Sequence, residues 1–198
     1  MKRVVWITGV PGSGKSAIGE RLVTAMKREF GTPCALVDAN FIRKQFWPHL
    51  GMNPEDRVVN VIGMAEMTGV FVRAGNDVIV ACIAPDREIR NRALGHIRVA
   101  AQDVAVYQVN VMAPLDVLRR RDAKGLYEAQ AAGKLVGLTG VDAVYEPPTL
   151  DEALCLDTSK SSVEECVQHI LSYVRTTAAR EWGSDIPEAR LYVEAAGG

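Results

Sequence analysis

Gly9-Val10-Pro11-Gly12-Ser13-Gly14-Lys15-Ser16 matches the pattern GxxxxGK[ST]. Each residue type in it has a physical task. Glycine lets backbone N–H groups turn inward around phosphate oxygens with no Cβ in the way. A helix starting at the end of the loop adds the positive end of its dipole. The Lys15 ammonium suits the β- and γ-phosphates, and the Ser16 hydroxyl suits Mg²⁺. Gly9, Gly12, Ser13, Gly14, Lys15 and Ser16 are therefore the candidate ATP-binding residues, with Lys15 also catalytic. A chance glycine-rich turn would not need Lys-Ser at its end, an apolar strand before it and a helical pattern after it. The loop fixes a site for a nucleoside triphosphate with Mg²⁺, and leaves kinase, GTPase and motor open.

Asp38 narrows the choice. It closes the short apolar run 35–37, at the carboxyl end of a predicted strand, where parallel sheets meet their ligands. A carboxylate there can organise Mg²⁺-bound water or take a proton from an attacking hydroxyl. Its structural alternative is a turn residue or a helix cap. Asp38 is assigned to catalysis and, through water, to the metal. There is no NKxD-type guanine reader, and the apolar run 78–84 leads into Pro85-Asp86, not into the Asp-Glu of a motor ATPase. His49, His96 and His169 have no partner pattern. Cys34, Cys82, Cys155 and Cys166 form no CxxC pair and no Cys/His cluster with metal spacing, so buried free thiols are the simplest reading.

The elements that must position these residues alternate between two periods. Short apolar runs predict strands at 4–8, 35–37, 78–84, 104–111 and 154–157. Helical spacing predicts helices over 16–30, over 54–74 as one piece or two, and over 87–101 and 115–121. Ser161-Ser162-Val163-Glu164 fits a capping box on Ser161 that opens a last helix carrying Cys166, Val167, Ile170, Leu171 and Val174 on one face. Alternating strands and helices imply a mostly parallel sheet covered on both faces. Residues 122–148 are rich in Gly, Ala, Lys and Pro without a sustained period, which reads as an active-site lid. Trp6, inside the first strand, is expected in the core, and Trp47 near the acceptor loop.

With 198 residues the chain has the size of one domain, and its formal net charge of −1 gives no surface for nucleic acid or an anionic membrane. No run approaches a membrane span, and Val4 to Ile7 is too short for the core of a signal peptide. A cytoplasmic protein is expected.

Beyond these elements the sequence resembles the adenylylsulfate (APS) kinase family. Besides the phosphate loop, the resemblance rests on Val37-Asp38-Ala39-Asn40-Phe41-Ile42-Arg43, on Leu50 to Arg57 with Asn60, and on Val80 to Arg87 with Arg90. It continues in Arg121-Asp122-Ala123-Lys124-Gly125-Leu126-Tyr127, Gly137 to Asp142, Tyr145-Glu146 and Leu156-Asp157-Thr158. Lys-Gly-Leu-Tyr followed by Thr-Gly-x-Asp is far more specific than a phosphate loop alone. The resemblance implies an α/β P-loop kinase: a three-layer α/β/α domain over 1–181 with a five-stranded parallel sheet, a mobile lid at about 121–148, and a C-terminal tail over 182–198. It implies transfer of the γ-phosphate of MgATP to the ribose 3′-hydroxyl of adenosine 5′-phosphosulfate, and a homodimer. Arg43, Arg57 and Asn60 would hold the acceptor's anionic group and sugar, and the backbone at Ile83 would line its pocket. Arg121 and Lys124 would come down with the lid onto phosphates.

The departures from the family cluster where the acceptor would lie. The family usually reads Asp-Gly-Asp-Asn after the second strand; here it is Asp38-Ala39-Asn40-Phe41. Asn40 is kept as a catalytic candidate that hydrogen-bonds the acceptor hydroxyl but cannot take its proton. Met52 and Leu138 occupy the positions of two phenylalanines that sandwich the acceptor adenine, so stacking of roughly 1–3 kcal/mol per base is weakened or lost. The Ser-Pro-Tyr after the third strand is Ala84-Pro85-Asp86, and two basic positions are Ile62 and Gly63. These changes leave ATP chemistry in place. They open a second reading, the same scaffold on a different hydroxyl such as a CDP-linked nucleotide or a natural-product or antibiotic alcohol. Chloramphenicol phosphotransferase is similar to that arrangement in its phosphate loop and lone Asp. A third reading is a nucleotide-binding module without catalysis.

Overall fold

A computed structural model of the chain describes residues 1–182. The tail expected over 182–198 therefore lies, but for its first residue, outside the described residues. Among these, five strands form one parallel sheet: β1 (Lys2–Thr8), β2 (Cys34–Asp38), β3 (Asp77–Ala81), β4 (Val104–Met112) and β5 (Leu154–Asp157). Their order is β2-β3-β1-β4-β5, with β1 in the middle and its register Val4↔Val78 on one side and Val4↔Val106 on the other. The helices are α1 (Lys15–Phe30), α2 (Ala39–Phe46), α3 (Pro54–Arg73), α4 (Arg87–Ala100), α5 (Leu115–Arg121), α6 (Leu126–Ala131) and α7 (Val163–Trp182).

The period-2 alternation of β1 divides the core. Val5 and Ile7 face α1 and α7, while Val4 and Trp6 face α3 and α4. Strands buried on both faces explain the near-continuous apolar runs in the sequence. Trp6 is fully buried, as expected, and the three-layer α/β/α architecture stands. Every strand's carboxyl end points to the same edge of the sheet, so the phosphate loop, Asp38, the segment after β3, the lid and the loop after β5 converge there.

Several local expectations are corrected. Of the two alternatives for 54–74, one helix forms, Pro54–Arg73, capped by Asn53, whose Oδ1 accepts the Asp56 N–H at 2.7 Å. β3 ends at Ala81, because Cys82 to Pro85 leave the sheet to form a cavity wall. The capping box sits one residue later than expected: Ser162 Oγ accepts the Glu165 N–H at 3.2 Å, and Glu165 Oε2 accepts the Ser162 N–H at 2.7 Å. Adjacent serines and adjacent glutamates offer two overlapping boxes, of which the structure forms the second. Helices α2 and α6 were not expected. Asp86, in place of the family's tyrosine, caps α4 through Ile89 N–H at 2.8 Å. Cys34, Cys82 and Cys166 are buried and Cys155 is half-buried, all free thiols.

Candidate active site

Lys15 is buried, and its Nζ donates to Val10 O at 2.7 Å. Desolvation pulls its pKa from 10.5 to about 8, with the Lys124 charge acting in the same direction and Asp38 opposing. Losing water makes the charged form costly until a phosphate arrives to replace it. Binding of MgADP should therefore take up a proton at alkaline pH. Between pH 8 and 9 the free protein loses most of the remaining Lys15 charge that the complex retains, so affinity should fall by about fivefold over that unit and by less than about twofold from pH 7 to 8. Calorimetry at pH 7, 8 and 9 checks this; a constant affinity would show that Lys15 does not meet the phosphates.

Ser16 Oγ donates to Asp38 Oδ2 at 2.5 Å, while Asp38 Oδ1 accepts the N–H groups of Asn40 at 2.9 Å and Phe41 at 3.2 Å. Asp38 thus caps α2 and faces Ser16 of the phosphate loop at once, a placement compatible with both of its alternatives. The Asn40 amide reaches Ser16 Oγ at 3.5 Å. A serine hydroxyl and a carboxylate joined by one proton are hard oxygen donors, the set that suits Mg²⁺.

The loop opens into a cavity of about 350 Å³. All seven residues expected to bind the acceptor line it: Arg43, Met52, Arg57, Asn60, Ile83, Lys124 and Leu138. Leu138, on the lid's inner side, is 2% exposed, whereas Met52, at 37%, stands on the rim. Arg43 Nη2 donates to Leu50 O at 2.7 Å and Gly51 O at 2.9 Å. Arg57 Nε donates to Met52 O at 2.7 Å, and its Nη groups hold Thr139 Oγ1 and Gly137 O in the lid. That lid turn is shaped by Asp142, which accepts the N–H groups of Gly137 at 2.9 Å and Leu138 at 2.6 Å. Burial and the neighbouring Arg43 charge lower the Arg57 pKa, with Asp142 opposing. Asn60 Oδ1 is buried without a protein partner. Among the described residues no carboxylate lies within ion-pairing distance of Lys15, Arg43, Arg57 or Arg121. Their partners are carbonyls and hydroxyls, so their positive charge stays available to an anion.

The wall opposite is apolar. Thr8 Oγ1 holds Ile83 O, and the buried Arg90 donates to Ala84 O at 3.2 Å and to Glu146 O at 2.6 Å. These bonds fix Ala84 at φ 41°, an uncommon conformation for a residue with a Cβ. Tyr145 donates to Asn110 Oδ1 at 2.7 Å and ties the far end of the lid to β4. Cys82 also lines the wall, its thiol pushed up to about 12 by burial, and so remains neutral.

Two of the residues singled out in the sequence stand outside the cavity wall. Arg121 does not line the cavity: its guanidinium donates to Thr158 Oγ1 at 2.9 Å and Thr158 O at 2.6 Å. Thr158 in turn bonds Ser13 O at 3.1 Å, so Arg121 reaches the phosphate loop only through Thr158. Trp47 is also absent from the cavity wall; its ring lies over Gly63, where an added Cβ would come within 2.6 Å of Cη2. Sequence reasoning gave no role to Thr139, Thr158 or Cys82. The first two lie in blocks that were noticed, while a lone cysteine at a strand end carries no signal.

A triphosphate loop that opens straight into a roofed cavity, with unpaired cations on the cavity's far side, defines a P-loop kinase. A family profile described as adenylylsulphate kinase matches residues 1–156. The chain belongs to the adenylylsulfate kinase family. It is 36% identical over 171 residues to an adenylyl-sulfate kinase of Bacteroides thetaiotaomicron, covering 86% of this chain and 82% of that one. The corresponding enzyme of Chloroflexus aurantiacus is 36% identical over 169 residues, 85% and 87% of the two chains. The Mycobacterium tuberculosis APS kinase, solved in complex with AMPPNP and APS, superposes with a TM-score of 0.80 at 29% identity, covering 88% of this chain and 98% of that one. ATP and Mg²⁺ are the family's co-substrate and cofactor. No described helix is long and apolar enough to cross a membrane.

Proposed function

We propose that this protein transfers the γ-phosphoryl group of MgATP to the 3′-hydroxyl of adenosine 5′-phosphosulfate. The observation that carries the reading is the single cavity that joins Lys15 and Ser16 to all seven acceptor candidates. In this reading the loop amides and Lys15 hold the β- and γ-phosphates. Ser16 and, through water, Asp38 hold Mg²⁺, which when bound spreads the charge of the transferring group. Arg43, Arg57 and Asn60 hold the acceptor's anionic group and sugar, Ile83, Met52 and Leu138 its base, and Lys124 the phosphates from the lid. Arg121 acts through Thr158.

The acceptor's 3′-oxygen forms the new P–O bond as the bond to the β–γ bridging oxygen breaks and ADP departs. Asp38 already accepts three hydrogen bonds and does not line the cavity. The hydroxyl proton therefore leaves late, to solvent, as a loose transition state permits. Asn40 orients the hydroxyl without removing its proton. With adenylylsulfate as the acceptor, Asn40→Asp should leave kcat unchanged or raise it. A large loss would point to a different acceptor.

A second reading, the same chemistry on another hydroxyl, is favoured by Met52 and Leu138, which grip a ring by dispersion and offer no π-face. The deciding experiment is ADP release from MgATP with adenylylsulfate beside CDP-linked nucleotides and hydroxylated natural products, with products identified by mass. Turnover with adenylylsulfate to the 3′-phosphate supports the first reading, and turnover only with another compound supports the second. We read the protein further as a cytoplasmic homodimer, on family membership. Sedimentation equilibrium at micromolar concentration tests the dimer, and a monomer would refute it.

A further inference from the structure

Three carbonyls of the phosphate loop are each held by a side chain. Lys15 Nζ holds Val10 O at 2.7 Å, the Tyr127 hydroxyl holds Pro11 O at 2.7 Å, and Thr158 Oγ1 bonds Ser13 O at 3.1 Å. Of the three side chains, only Tyr127 belongs to the lid. It is 5% exposed and its bond is buried, between residues 116 positions apart. Its ring packs with Leu118 and Leu138, and Cε2 lies 3.6 Å from where a Cβ on Gly12 would stand. Asp122 fixes the start of α6 by accepting the N–H groups of Tyr127 at 3.1 Å and Glu128 at 2.9 Å. The lid touches the loop a second time at Gly140, where a Cβ would come within 2.7 Å of Val10 Cγ1.

A trans peptide points its C=O and the following N–H in opposite directions. Holding the Pro11 carbonyl away from the cavity therefore aims the Gly12 N–H toward it, and Pro11 and Gly12 both line that cavity. We infer that Tyr127 is a positioning residue for phosphate binding: its hydroxyl orients the Gly12 amide and couples lid closure to occupation of the phosphate loop. The inference rests on the loop being the ATP site, and not on which acceptor is used. Coupling of this kind is reciprocal, so nucleotide bound at the loop must also steady the lid.

The test is Tyr127→Phe in the full-length chain, which removes one hydroxyl and keeps the ring. MgADP affinity should weaken by about fivefold, the effect of one lost hydrogen bond, while the melting temperature falls by only about 2–4 °C because Pro11 O loses its buried partner. An unchanged affinity in the folded variant overturns the inference. Should the variant not fold, hydrogen exchange on the unaltered protein decides. MgADP alone, without acceptor, should slow exchange in residues 126–131, and exchange there that ignores MgADP overturns the inference. Both readouts use nucleotide only, so an acceptor other than adenylylsulfate leaves them intact.

Discussion

Lys15→Met should lower phosphoryl transfer by about 10³-fold or more with every acceptor, since one preorganised donor at a developing charge is worth about 10²–10³ and Lys15 adds a full charge. The same change should stabilise the protein. Burial holds the Lys15 pKa at about 8 against 10.5 when exposed, so keeping the ammonium charged at pH 7 costs roughly 3 kcal/mol. Methionine keeps most of the volume without the charge. The unfolded chain binds the extra proton between pH 8 and 10.5, so the penalty is full below about pH 8 and vanishes above about pH 10.5. Urea unfolding should accordingly show the variant more stable than the parent at pH 7, with the gap closing toward pH 10. A variant equally inactive but less stable at pH 7 would mean that the ammonium is already neutralised in the free protein.

Asp38→Ala should cut kcat by about 10²-fold or more, because it removes the carboxylate beside Ser16 and frees that hydroxyl to rotate. It also removes the N-cap of α2, at a cost of about 1 kcal/mol. The two losses separate with Asp38→Ser. A serine at this position still caps Asn40 and Phe41 N–H groups but supplies no charge toward the metal. The thermal midpoint should return with Asp38→Ser while kcat stays low. Recovery of both would reduce Asp38 to a capping residue.

What the sequence made legible follows from how strong each local pattern is. The phosphate loop is read from chemistry that few other motifs share, and the strands from apolar runs buried on both faces. The seven acceptor candidates come from the resemblance, and one cavity gathers all of them. Helix α2 was missed because its eight residues give barely two turns of period. Its one sequence signal was Asp38, whose capping role was weighed only as an alternative. Helix α6, six residues long, depends on Asp122 and on the packing of Tyr127, neither of which a periodicity can show. The lid motif points Arg121 toward phosphates. Its guanidinium instead finds Thr158, a partner 37 residues away that only the sheet brings near. The apolar run 78–84 overshoots β3 because apolarity marks burial, and a cavity wall is as apolar as a strand.

The Trp47 ring over Gly63 makes those two positions interdependent in mutation. At position 63 the family carries a basic residue, and here a side chain would overlap an indole that packs against the α3 and α4 face of the core. Restoring the basic residue alone would collide with Trp47, and shrinking Trp47 alone would leave a void beside a bare helix backbone. A side chain at position 63 therefore needs the Trp47 ring to shift or shrink, and the two positions are best varied together in any attempt to reshape this side of the domain.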